Sequence, residues 1–226
     1  MALADELHKK LAEDDDSRVC DDIEEAACNQ RQLSFVLILL SSSLTKLGDA
    51  IASPKTTLAW AATAIGAPAF VLGFLVPVRE SGSMIPQIFI GGYVRRLAIR
   101  KWVWVIGSVV QCLAVVGMGL TVFWLDGATA GWALLATVAV FSLARAFCSV
   151  ASKDVVGKTV PKPRRGRLSG WAASFAGLVT VGVGLVLMKP DALGLESNWL
   201  GVLLILAGCL WLVAAVIYSR GPETPG

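Results

Sequence analysis

A chain of 226 residues with 55% hydrophobic and only 16% charged residues is too apolar for an ordinary soluble domain, in which about 25% of residues carry charge. The charges are gathered into islands between long uncharged runs, which is the pattern of an integral membrane protein. The net charge of +3 is small. The lysines and arginines border apolar segments, so membrane topology accounts for them and excludes a nucleic-acid partner.

The first element is an acidic tail, residues 1–32, with the run "AEDDDSRVCDDIEEAAC". It has no apolar core near Met1 followed by a small-residue cleavage site, so it reads as a retained polar tail rather than a signal peptide. Leu3, Leu7 and Leu11 recur every four residues and permit a short amphipathic helix. Cys20 and Cys28 lie in this tail without zinc-ligand spacing, and the sole histidine, His8, is not grouped with them. The other three cysteines, Cys112, Cys148 and Cys209, fall in apolar runs, so all five read as ordinary reduced cysteines.

A spanning helix needs about 20 apolar residues, and the expected transmembrane domain, residues 33–219, holds six such runs. Span one covers 33–52. Span two has two readings: 57–78, or a helix from 67 to 94 with Pro68 in its first turn. The second is preferred because "MIPQIFIGGYV" is too apolar to be left in water, and it makes 54–66 an outer loop or surface turn. Span three covers 102–125, with Trp102 and Trp104 at one end and Trp124 at the other, as in the aromatic belts of the two interfaces. Spans four, five and six cover 131–151, 168–188 and 199–219. The glycines of "GLVTVGVGL" in span five are expected to form a helix-packing surface. Residues 220–226 read as the start of a cytoplasmic linker.

Lys and Arg are distributed unevenly among the connections. Residues 95–101 carry four and 152–167 carry six, against Lys55 and Lys189 on the opposite side. Ten against two places the basic loops, and with six spans both termini, in the cytoplasm.

Ionisable residues inside spans cost about 2.5–3.5 kcal/mol on insertion scales, so they seek partners or a cavity. Lys46 and Asp49 are three residues apart, on one helical face and able to pair, either toward a cavity or as an interfacial pair. Arg79 and Glu80 diverge by about 100° around a helix. In the longer version of span two, at least one of them should turn to another helix or a water-filled cavity. Arg145 in span four either does the same or snorkels to phosphates at the cytoplasmic end. Lys46, Asp49, Arg79, Glu80 and Arg145 are the candidate solute and ion pathway.

This layout resembles the N-terminal six-helix half of a major facilitator superfamily transporter over residues 33–219. In "GGYVRRLAIRKW", Gly91, Arg96, Arg100 and Lys101 match the type of the family's glycine–acid–arginine–basic signature. Arg95 stands where the family has Asp, and one residue is extra. "ARAFCSVASKD", with Arg145, Lys153 and Asp154, is similar to the fourth-span arginine motif. "KTVPKPRRGRLSG", with Arg165 and Gly166, is similar to the loop before span five. Span five lacks the Gly-Pro signature of drug/proton antiporters. The chain ends in "YSRGPETPG", similar to the start of the central loop between the family's two halves, so either a truncated copy or paired half-transporters is implied.

The resemblance implies alternating-access transport of a small solute, with a cavity lined by spans one, two, four and five. Asp49 or Glu80 would couple it to protons, a second half or self-association would complete it, and a bacterial inner membrane would hold it. The alternative is a non-transporting six-span scaffold or accessory subunit. An enzyme is not expected: "DGATAGW" is similar to the start of the alcohol-phosphatidyltransferase signature but lacks its arginine and paired aspartates. One tail histidine cannot build a histidine-box metal site, and no cofactor is expected.

Overall fold

The computed structural model describes residues 31–160, 162–187 and 199–223. Residues 1–30 of the acidic tail, with its possible helix, and the connection at 189–198 lie outside the described residues. Within them the protein is all-α, and four helices are long and apolar enough to cross a membrane, as in an integral membrane protein.

The first of these is α1, Arg31–Ile51, ended by the Ser53–Pro54 step. Residues 54–66, expected as an outer loop or surface turn, instead contain a two-turn helix, α2 (Thr57–Ala64). Leu58, Ala61 and Ala62 lie at helical spacing and are fully buried, which is why this stretch folds inward. Gly66 closes α2 in the left-handed region, at φ 66°, where a glycine carries no Cβ penalty.

The expected single helix from 67 to 94 is two helices. Pro68 directly precedes α3 (Ala69–Met84), and Ile85–Pro86 separates it from α4 (Gln87–Val94). Pro86 has no N–H to continue the ladder. The Gln87 side-chain amide donates to the Ser83 carbonyl at 2.7 Å, satisfying one of the acceptors at the break.

The long helices follow. α5 is Lys101–Trp124 and α6 is Gly127–Thr159. At 33 residues α6 overruns the expected 131–151, reaching about 50 Å against a hydrocarbon core of about 30 Å. No proline interrupts it before Pro161, so the first half of the expected 152–167 loop belongs to it. The remainder opens α7, Lys162–Leu187. Last comes α8, Trp199–Ser219.

α5 packs on α6 and α8, α8 on α1, α3 on α6, and α7 on α1. The α5–α8 approach is close at Gly119 and Gly201. A Cβ on Gly119 would come within 2.7 Å of the Gly201 carbonyl oxygen. Span five behaves differently from expectation: a Cβ on Gly177, Gly182 or Gly184 would meet nothing within 4 Å, so these glycines mark an open face of α7.

The buried apolar side chains form two clusters. One, at the end away from the basic residues, gathers Leu58, Leu75, Met118, Phe141, Leu204 and Trp211, with the Trp211 and Phe141 rings edge to face at 5.3 Å. The other, at the basic end, gathers Phe35, Val94, Trp104, Val155 and Tyr218. Trp104, expected in an interfacial belt, stacks inward on Tyr218 at 4.0 Å, whereas Trp102 and Trp124 are exposed.

Candidate functional site

Between the two apolar clusters lies a polar layer. Asp49, two residues before the end of α1, accepts hydrogen bonds from two arginines on different helices. Arg79 of α3 donates Nη2 to its Oδ1 at 3.0 Å, and Arg145 of α6 donates Nη1 to the same oxygen. Arg79 is the buried partner. Its Nη1 donates to the Ala52 carbonyl at the end of α1, and its guanidinium lies 4.7 Å from the centre of the Phe141 ring. Glu80, on the next position of α3, is exposed and near enough to act electrostatically on both arginines.

Lys46 does not use Asp49 as its hydrogen-bond partner. Its Nζ donates to the Ser169 carbonyl of α7 at 3.2 Å, tying α1 to α7. One carboxylate thus gathers three helices, and the neighbouring ammonium draws in a fourth.

A cavity of about 270 Å3 opens beside this cluster. α1 lines it with Ser42, Thr45, Lys46 and Asp49, a spacing of three, four and seven residues that makes one helical face. α6 repeats the pattern with Arg145, Cys148, Ser149, Ser152 and Lys153. α5 supplies Trp104, Ser108 and Gln111. Contributors are therefore the first, third and fourth expected spans, which differs from the lining implied by spans one, two, four and five. α3 acts from behind through Arg79, and α7 touches the site through Lys46.

The cavity wall is internally bonded where α5 meets α6. Gln111 donates its amide to Cys148 Sγ at 3.0 Å, and the Cys148 thiol donates to the Trp104 carbonyl at 3.4 Å. Gly107 permits this contact, because a Cβ there would strike Cys148 Sγ. Among the described residues, no three His, Cys, Asp or Glu side chains converge as a metal site would require.

The motif residues at the basic end fall into a separate network. Arg100 pairs with Asp154 at 3.6 Å and donates Nη2 to the Arg95 carbonyl at 2.9 Å. Lys101 donates Nζ to the Gly221 carbonyl at 2.9 Å. Arg165 bonds the Val160 and Gly157 carbonyls at 2.8 and 2.7 Å, holding the α6–α7 link. Arg96 is exposed, and a Cβ on Gly91 or Gly166 would meet nothing within 4 Å. Lys153 leaves this group and faces the cavity.

Sequence reasoning missed Glu223. Its side chain is 1% exposed and sits at the start of α5, accepting from the Arg100 and Lys101 backbone N–H groups at 3.0 and 2.7 Å. Lys158 Nζ lies 3.8 Å away. A carboxylate there satisfies the unpaired donors of the helix N-terminus. Nothing in "GPETPG" announces it, because the contact bridges more than a hundred residues. The hydroxyls of α1 and α6 and the amide of Gln111 were missed as well; the signal for them was the helical spacing of Ser and Thr in apolar runs and a lone amide within span three.

No family model, curated protein or solved structure matches this chain.

Proposed function

We propose that this chain is one six-helix half of a secondary transporter of the major facilitator type, oriented with its basic end in the cytoplasm of a bacterial inner membrane. It moves a small solute by alternating access and couples that movement to protons. The observation that carries the reading is Asp49, a carboxylate held by arginines of two other helices at the wall of a polar cavity. Charge at membrane depth is costly, so a carboxylate retained there with two cations usually marks an ion or substrate pathway.

The mechanism follows from the charge of Asp49. While ionised, it holds α3 and α6 against α1. Protonation at the carboxylate removes the attraction and leaves Arg79 and Arg145 as repelling neighbours, which favours separation of α1 from α6. Apolar packing of the far cluster supports a cavity that opens toward the basic end and is shut at the other. The α3–α4 stretch and α7 are taken as the second and fifth spans. The uncovered face of α7 supports a second half, or a second copy, completing the cavity. Glu80, exposed on α3, is the second candidate carboxylate.

The test is acid-driven uptake in proteoliposomes, with the oligomeric state measured in detergent. Paired halves should take up solute under a proton gradient, and Asp49→Asn should remove the dependence on that gradient. A strictly monomeric preparation should take up nothing, and robust coupled uptake by one contradicts the half-transporter reading. Intact insertion without uptake by any assembly favours the scaffold alternative.

A further inference from the structure

We infer that the cavity is an anion site, and that its solute is a small soluble carboxylate- or phosphate-bearing molecule. The inference rests on the transport reading for the solute's passage, but not for its binding.

The charges facing the cavity are Lys46, Arg145 and Lys153, against one acid, Asp49. That acid is already engaged, because Arg79 reaches it from behind the wall at 3.0 Å. Setting Arg79 against Asp49 leaves three cationic side chains on the cavity surface, offset in part by Glu80, which acts on Arg145 from outside the lining. Lys46 spends its hydrogen bond on a neutral backbone carbonyl, which satisfies a donor without cancelling the charge. Clustered like charges in a cleft attract an anion even where water screens them in part. A cationic solute would meet repulsion, and a neutral one would leave the surplus uncompensated.

The donor geometry agrees. Arg145 binds Asp49 through Nη1, and its side chain stays 38% exposed. A guanidinium carries five N–H donors in a fork that matches a carboxylate or phosphate. Ser42, Ser149 and Ser152 add hydroxyls around it. Lys153 lies eight residues along α6 from Arg145, about 12 Å along the axis, so positive charge lines the length of the slot. A volume of about 270 Å3 is near the small end of ligand cavities, roughly 300–1,000 Å3, which suits a metabolite-sized anion.

Arg145 then has two competing partners. An incoming anion takes its fork, and Asp49 is left with Arg79. Anion arrival and the state of Asp49 are thereby linked through one side chain.

The experiment is isothermal titration of the purified full chain in neutral detergent with succinate, benzoate and inorganic phosphate. Succinamide and benzamide serve as uncharged matches, and 1,4-diaminobutane as a cation. At least one anion should bind, with no binding of its amide or of the diamine. Lys46→Gln and Arg145→Gln should each weaken it by about tenfold or more, Arg145→Lys by less. Lys153→Gln, at an exposed position that keeps folding intact, should weaken it measurably, and the exposed Arg96→Gln should not. Failure of every anion to outbind its amide, or binding of the diamine, overturns the proposal. Anion binding unchanged in Lys46→Gln, Arg145→Gln and Lys153→Gln together overturns it as well. Repeating the titration with phosphatidylglycerol in the micelle separates the two sources of phosphate chemistry. Retained affinity supports a soluble anion, whereas complete displacement identifies a lipid headgroup and overturns it. Anion binding without uptake in any assembly refutes transport and leaves the site standing, whereas coupled uptake of a cation does the reverse.

Discussion

The far end of the bundle and its polar layer hold the same helices together by opposite means. Where the far cluster meets that layer, Trp211 of α8 packs against α1 and against Phe141 of α6, close enough that a Cβ on Gly48 would lie 2.7 Å from its ring. On the next residue of α1, and one turn along α6 from Phe141, the same two helices are joined by Asp49 and Arg145, beside a cavity. Close apolar packing has a single well-fitted arrangement and resists change. An ion pair beside a cavity can exchange partners. Under the proposed transport reading, the polar layer is the part that would move.

The sharpest way to break this contrast is Asp49→Asn. It leaves Arg79 buried without its counter-charge, and removing one member of a buried pair costs about 3–5 kcal/mol. Unfolding in mixed SDS micelles should show that loss, and the double variant Asp49→Asn/Arg79→Gln should recover much of it. Equal, additive losses would mean the two side chains are not coupled.

Two glycines sharpen the contrast between packed and open faces. Gly119→Leu forces α5 from α8 and should cost about 1–3 kcal/mol or more, whereas Gly182→Leu, on the open face of α7, should cost nothing. A comparable loss at both positions would show that α7 is covered. Glu223→Gln keeps the acceptor shape but removes its charge at the start of α5, and should cost about 1–3 kcal/mol. The readout is faster amide exchange confined to the first turn of α5. Unchanged exchange there would contradict the capping role.

The helical class and the membrane setting were legible because apolar runs of spanning length need only counting. Arg79 was legible as one of two neighbours that could not both face lipid, but which of them turns inward depends on where Asp49 stands. The pairing of Asp49 with Arg145 joins residues 96 positions apart, and local spacing favoured Lys46 instead. α2 was hidden because a short stretch between two prolines, outside the preferred second span, read equally well as a turn. The length of α6 was hidden because charged residues look like a loop by composition, although helices continue past the bilayer when no breaker stops them.

Cysteine accessibility across the two regions tests most directly whether the cavity is open at one end and sealed at the other. Single cysteines would replace Ser149 in the cavity and Leu134 in the far cluster, in a chain with its native cysteines replaced, inserted in oriented vesicles. An impermeant thiol reagent added at the basic side should label position 149 and spare 134, and the same reagent added at the far side should label neither. Labelling of 149 from the far side, or of 134 from either side, would contradict the account.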